Sequence, residues 1–572
     1  MLFANALVWQ WSPRQAGGPP SAPRAFAGFA SWFTTDGDRI THVGHGDIPL
    51  SVLDEHKAEV VDLDGQLVLP GLHDSHIHLY HMGEVAHYVD LRGAASFDDL
   101  HARVAAHAAK YPDVDWLVGF GWEQDKLASP ARYPTRADLD AISSTRPIYL
   151  WRTCYHIATV NSAALAKAGL DIVPHPAWAN VPGGVVDLDA QGLPTGILRE
   201  SAVNLVQKYI LEQSDDIRTK YLQIGLQTAL EFGLTAVHTN DAHCLPLYRQ
   251  LQAKGELPIR VYMTPDQHEL EDATTGALGP PIKDELITVD RVKLFGDGSL
   301  GAETAALRAP YRDSTNTGVL METDAEMARK IHVANAAGYR VEIHAIGDRA
   351  AAQVLDAMGR IKGIDRPIMT HCQILGPDLI AKMAALGVVA NIQPSFVVTD
   401  ATFASKRLPQ ALLPYSYCWQ TMVGAGVVCA GGSDAPIETS NPFQGMYDAI
   451  HRAAPLDDPR ECMTFTEALQ LYTLNGGQRF SFVAAPCAFA AKEETRLGDL
   501  ASGFQADFVV VKYNLLETPE KLLAPDLLQR VYVQGRLRYD SIDGPKQPLA
   551  MQAAGLPGKN GKIRICRCCR AA

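Results

Sequence analysis

The segment LPGLHDSHIHL, residues 69–79, holds His73, Asp74, His76 and His78 within a few positions. The preceding VVDLDGQLVL is apolar and β-prone, so the segment reads as a strand running into a polar end. Strand alternation then turns His76 and His78 to one face and His73 to the other. A same-face His-x-His pair can chelate one divalent ion through neutral imidazole nitrogens. Taken alone, the pair is weak evidence, the commoner reading being hydrogen-bonded or solvated histidines, so the other elements of the chain decide between the two.

Those elements alternate. Short β-rich runs, each ending in polar or glycine residues, recur as LVLPGLHDSH, LTAVHTND (234–241), LPIRVYMTP (257–265), VDRVKLFGDGS (289–299), YRVEIHAIGD (339–348), RPIMTHCQI (366–374), GVVANIQPS (387–395) and GVVCAGGSDAP (426–436). Stretches of helical spacing, such as TDAEMARKIHVANAAG and GPDLIAKMAALG, separate them. Eight strands alternating with helices predict an α/β fold, a (β/α)8 TIM barrel spanning residues 68–490. Residues 1–67 and 491–545 break the alternation with short strands and turns, and predict one β-sandwich built from both chain ends. The stretch from about 85 to 225 is far too long for a βα connection and reads as an inserted subdomain, a candidate lid. Residues 546–572 are rich in Pro, Gly and Lys and read as a disordered tail.

In such barrels the reacting groups stand at the carboxyl ends of the strands. The first strand end supplies His76 and His78, the fourth Lys293, the fifth His344, the sixth His371 and the eighth Asp434. Each alone has a plain structural reading: a buried histidine is usually hydrogen-bonded, and an aspartate at a strand end often caps the next helix. Their coincidence on the right strands predicts a metal centre. Lys293 is the odd member, because an ammonium repels a cation. It either contacts substrate or has taken up carbon dioxide to become an anionic carbamate able to bridge two metals.

Composition narrows the function classes. Hydrophobic residues make up 47% and charged residues 20% of 572, ample for a large core, and the net charge of −13 argues against a nucleic-acid surface. No apolar run reaches the ~20 residues of a membrane span. The start, MLFANALVWQW, lacks a basic region and a cleavage site, so no secretory signal is read. Ten scattered cysteines fit reduced thiols and a cytoplasmic location.

The motifs PGLHDSHIHL, GFGWEQDKL, RPIYLWRTCYHIATVNSAAL, PTGILRES, VKLFGDGSLGAETAAL, HAIGDRA, THCQIL and GGSDAPIETSNPF cover roughly residues 60–480. As a set they resemble the amidohydrolase superfamily, specifically the family 3 group of YtcJ-like proteins and N-substituted formamide deformylases. The resemblance implies a metal-dependent hydrolase of carbon–nitrogen, but not peptide, bonds in a small molecule such as an N-formyl, N-acyl or cyclic amide. It implies His76, His78, Lys293 as a carboxylated lysine, His344, His371 and Asp434 as ligands of one or two divalent ions. Zinc comes first, and manganese, iron or cobalt suit the same donors. Asp434 is then the proton acceptor from the attacking water and the donor to the leaving amine. His156, in TCYHIATVNS, is the candidate oxyanion donor, with His344 or His371 taking that part if one metal is bound. Trp122 and Glu123 are candidates for the pocket wall. Asp297 and Arg349 either bind substrate or fix a loop, loop fixing being favoured. The group also allows a homodimer.

Two alternatives remain. A heterocycle deaminase on this barrel uses a glutamate after the fifth strand, and HAIGDRA has none. A non-catalytic scaffold would have lost ligands, and none of the implied six is missing. Two segments depart from the pattern. QRFSFVAAPCAFAAKEETRLGDL, after residue 477, is longer than the group's usual connection and reads as an extended loop. The terminal CRAA has only the outline of a prenylation signal at Cys569, and Cys566, Cys568 and Cys569 are too close for a usual zinc spacing.

Overall fold

The computed structural model describes residues 1–12, 25–57, 59–112, 114–124, 127, 132–152, 157–170, 181, 184–210, 214–267, 269, 279–301, 303–361, 363–473 and 496–541. His156, the extended loop after residue 477 and the cysteine-containing tail lie outside them. The chain forms two compact units, one of Met1–Tyr80 with Gly225–Pro548 and one of His81–Ile224.

Two sheets of the first unit come from both ends of the chain. One orders β5 (Arg39–Gly44), β4 (Trp32–Asp36), β1 (Leu2–Ala4) and β6 (Val60–Asp62). The other orders β26 (Arg536–Asp540), β25 (Leu528–Val533), β24 (Phe508–Val511), β7 (Leu67–Pro70), β2 (Leu7–Trp11) and β3 (Phe26–Ala30). Aromatic residues fill the space they share. Phe3 stacks on Phe33 at 4.7 Å, Phe508 stacks on Tyr532 at 4.4 Å, and the two pairs meet edge to face.

The run LVLPGLHDSH, a single strand by its composition, divides at Gly71. Leu67–Pro70 pairs antiparallel with β24, while β8 (Leu72–Ile77) pairs parallel with β15 (Leu234–Thr239). The division has a steric cause. The Gly71 amide donates to the Asp507 carbonyl, and a Cβ there would stand 2.4 Å from Thr235 Oγ1. The boundary expected at residue 67 therefore falls at Gly71.

From β15 the parallel order runs through β16 (Arg260–Met263) to β18 (Ile287–Val289), whose other neighbour is the short antiparallel β17 (Ile282–Lys283). After Asp290 the chain continues as β19 (Arg291–Phe295), which begins a second parallel series of β20 (Arg340–Ala345), β21 (Ile368–His371), β22 (Val389–Ile392) and β23 (Val428–Gly431). With β18 and β19 counted as one strand, eight strands close into a TIM-barrel-like α/β fold. Backbone bonds join the last to the first: Asp434 N to the His76 carbonyl at 2.7 Å and His78 N to the Ala435 carbonyl at 2.9 Å. The intervening helices carry ordinary boundary chemistry. Pro377–Leu386 begins at proline, which lacks the unneeded amide donor, and ends at Gly387 with φ of 64°.

The second unit is built on a sheet ordered β13 (Gly184–Leu188), β14 (Pro194–Glu200), β12 (Ile157–Val160), β11 (Ile148–Arg152), β10 (Leu117–Trp122) and β9 (Val89–Asp90). Strand alternation sends β11 into two cores. Tyr149 and Trp151 join Phe120 and Leu198 on one face, while Ile148 and Leu150 join Leu100, Val104 and Trp122 on the other. Among the described residues no helix is long and apolar enough to cross a membrane.

Candidate metal centre

The carboxyl ends of the barrel strands bring His76, His371 and Asp434 together, with one donor atom from each lying within 4.8 Å of the others. All three are buried. His78, one residue beyond β8, reaches the same aspartate, its Nε2 standing 3.1 Å from Asp434 Oδ1. His76 Nε2 is 3.3 Å from that oxygen. The His344 ring lies 4.4 Å from the His371 ring, centroid to centroid. Two of these positions hold a backbone that side chains rarely adopt: φ is 79° at His371 and 56° at Asp434. Such left-handed residues are uncommon outside glycine and persist where the surroundings over-determine them.

Each imidazole is fixed by its second nitrogen. His76 Nδ1 is 2.8 Å from Glu342 Oε1. His78 Nδ1 is 3.1 Å from the Asn240 carbonyl. His371 Nδ1 is 2.9 Å from Gln393 Oε1, whose amide nitrogen in turn donates to the Asn391 carbonyl. His344 is turned the other way, its Nε2 lying 2.9 Å from the Gly298 carbonyl. Acceptors on these nitrogens select the tautomers in which His76, His78 and His371 present Nε2 lone pairs and His344 presents Nδ1. At 3.1 to 3.3 Å from a carboxylate oxygen, these ring nitrogens share either a proton or a cation with it. The donor set therefore fits a divalent ion with N and O ligands.

The electrostatics differ between the histidines: burial and Lys293 act to lower His76, but hydrogen bonds with Asp434 and Glu342 outweigh them and raise it. Burial, together with the neighbouring His344 and Lys293, pushes His371 well below the ordinary histidine range, toward the neutral ligand form. Burial pushes the Asp434 carboxyl up, but hydrogen bonds and charge from His76, His78 and His371 outweigh it and hold the group well below the carboxylate range. Lys293 is buried and its Nζ lies 3.2 Å from His76 Nε2. Burial lowers its pKa against the opposing pull of Glu342 and Asp434.

Asp297 is fully buried and its carboxylate accepts from the amides of Ile346, Gly347 and Ala306 at 3.0, 2.8 and 2.8 Å. These bonds tie it to the neighbouring loops, and its Oδ1 also lies 3.3 Å from His344 Nε2. Arg349 donates its amide to the Ala306 carbonyl and a guanidinium nitrogen to Thr317 Oγ1, again a loop contact. Trp122 is wholly buried in the second unit, with its indole N–H donating to the Leu150 carbonyl at 2.9 Å and its ring edge against Tyr133. These contacts describe core packing rather than a pocket wall, because the ring has no exposed face. Glu123 follows it, half-buried at the end of β10.

Glu342, Gln393 and Arg291 are the site residues the strand-end reading missed. Glu342 and Arg291 each sit two positions before a candidate ligand, His344 and Lys293, on the same strand. The alternation that paired His76 with His78 could have found both.

A closed parallel barrel with histidines and an aspartate gathered at its carboxyl rim defines a metal-dependent hydrolase of the amidohydrolase class. The model of the amidohydrolase family matches residues 59–539, and the chain belongs to that family. It is 31% identical over 501 residues to the putative amidohydrolase YtcJ of Bacillus subtilis (strain 168), covering 85% of this chain and 91% of the relative. Against the N-substituted formamide deformylase of Arthrobacter pascens it is 27% identical over 518 residues, covering 84% and 90%. Among solved structures it is similar to an uncharacterized metal-dependent hydrolase from Pyrococcus furiosus, with a TM-score of 0.75, 28% identity, and coverage of 90% of this chain and 99% of that one.

Proposed function

We propose that the protein hydrolyses a non-peptide amide-type carbon–nitrogen bond in a small molecule, an N-formyl, N-acyl or cyclic amide. The supporting observation is the convergence of His76, His371 and Asp434 donors within 4.8 Å, with the histidine ring nitrogens that face away held by acceptors. His76, His78, His344, His371 and Asp434 would hold one or two divalent ions, zinc first. When bound, such an ion polarises the amide carbonyl and lowers the pKa of a water toward ~7.

Asp434 takes the proton of the attacking water at Oδ1 and returns it to the departing amine nitrogen. Its ionised state and its anchorage through the bond from its own amide to the His76 carbonyl suit that role. We assign His156 to the oxyanion of the tetrahedral adduct. Lys293 is assigned a carbamate: its unprotonated amine adds carbon dioxide and releases one proton, and burial favours the unprotonated amine.

The test is metal analysis of the purified protein, followed by a panel of N-formyl amines, N-acyl amines and cyclic amides offered to the wild type and to Asp434→Asn. Amine and carboxylate products from the wild type alone support the proposal. Equal turnover by both proteins would remove Asp434 from its role, and ammonia as the product would replace amide hydrolysis with deamination.

A further inference from the structure

We propose that Glu342 is a positioning residue of the metal centre: it accepts the Nδ1 proton of His76 and so fixes the tautomer that offers Nε2 to the ion. The inference rests on the metal-hydrolase reading above. Four ring nitrogens are held at this rim, and three of the acceptors are neutral: the Asn240 carbonyl, the Gln393 amide and the Gly298 carbonyl. His76 has a carboxylate at 2.8 Å, closer than the one beside His344, whose Nε2 lies 3.3 Å from Asp297 Oδ1. A carboxylate behind a metal-bound imidazole fixes its tautomer and orientation and makes it a more basic ligand.

Lys293 Nζ stands 3.2 Å from the Nε2 of His76, on the side where the ion must approach. His76 is also buried, away from bulk water. The carboxylate is itself held from several strands. Thr370 on β21 donates to Oε1 at 3.2 Å, and Arg291 Nη1 on β19 lies 3.6 Å from Oε2. Arg291 Nη1 also stands 2.9 Å from His238 Nδ1 on β15. Lys293 is 3.6 Å from Oε1, so the contact with His76 is the shortest that the carboxylate makes. A role limited to neutralising Arg291 would not require the 2.8 Å alignment with Nδ1.

The experiment compares wild type, Glu342→Gln and Glu342→Leu. Gln keeps an acceptor without the charge, and Leu keeps volume without an acceptor. Zinc affinity is read by chelator competition, and the tautomer of His76 by nitrogen-15 NMR of the zinc-loaded wild type, with the signal assigned by its loss in His76→Asn. The expected result is an affinity about 10- to 100-fold weaker for Leu and largely restored for Gln. The His76 ring should be protonated at Nδ1.

Equal losses in Gln and Leu would overturn the proposal, since that is the pattern of a lost charge pair. Affinities unchanged in both variants would also overturn it. An Nε2–H signal from His76 in the zinc-loaded protein would do so without any Glu342 variant, which covers the case of a Leu variant that does not fold. A wild type that binds no zinc, manganese, iron or cobalt would instead bring down the metal reading itself.

Discussion

The sandwich interior and the barrel rim are both buried, and they are buried by opposite means. Between the two sandwich sheets Phe3, Phe33, Phe508 and Tyr532 stack without any charged member. At the rim Arg291, Lys293, Glu342 and Asp434 lie among histidines with almost no exposure. Apolar burial stabilises by roughly 25 cal/mol per Å² and asks little of orientation. An ion taken from water costs several kcal/mol unless its partners are well aligned. The difference separates the two tasks: the sandwich holds the fold, and the rim keeps a set of lone pairs and charges whose alignment serves an ion and a reaction.

Substitutions that strike one task and spare the other test this division. The largest effect is expected for Asp434→Asn, with turnover of an identified amide falling about a hundred- to ten-thousand-fold. Its metal-free melting temperature should move less than that of the sandwich variant described next. Calorimetry beside a product assay checks both halves, and a melting change as large as the sandwich variant's would erase the contrast. Phe508→Ala in the sandwich is expected to lose about 3–5 kcal/mol in urea unfolding. The zinc stoichiometry of its folded fraction should equal that of the wild type.

Metal removal comes third. Restoring zinc at about a hundred times its dissociation constant should stabilise the wild type by about 2.7 kcal/mol, read as a rise in the unfolding midpoint. Asp434→Asn should gain less.

The smallest effect concerns histidines used as packing. His87 and His107 in the second unit lie against Tyr111, with ring centroids 4.9 and 4.8 Å away. Burial and nearby lysines (Lys220 and Lys110) lower His87 to about 4, and burial with neighbouring positive groups lowers His107 to about 4. The unfolded chain therefore binds more protons between pH 6.5 and 4. The stability from these groups is complete above 6.5 and is lost as pH falls toward about 4. Urea titrations at pH 7 and pH 5 should show a smaller decrease for a His87→Gln/His107→Gln double variant than for the wild type. An equal decrease would place the acid sensitivity elsewhere.

The legibility of the sequence follows the same division. The parallel strands were readable because each is a short apolar run closed by turn residues, and the candidate ligands were readable because they stand at those closures. Glu342 and Arg291 were overlooked because they lie inside the runs, where barrel residues are usually apolar, although their spacing from His344 and Lys293 marked the inward face. The acceptors behind His78 and His344 could not be read at all. They are the carbonyls of Asn240 and Gly298, and a backbone carbonyl leaves no trace in residue identity. Nor could the division at Gly71 be seen in LVLPGLHDSH, since it depends on Thr235 and Asp507 arriving from distant parts of the chain.

That division also sets an order of events during synthesis. The strand bearing His76 continues directly from β7, and β7 lies between β2 and β24, so one of its neighbours is Phe508–Val511. At roughly 5–20 residues per second the ribosome delivers that neighbour about 20–90 s after β7 itself. Until then β7 has an open edge, and a transcript truncated before Phe508 would leave it open for good. Nascent chains of this protein thus spend most of their translation with a free strand edge beside the strand that bears His76, and the last sandwich strands close it.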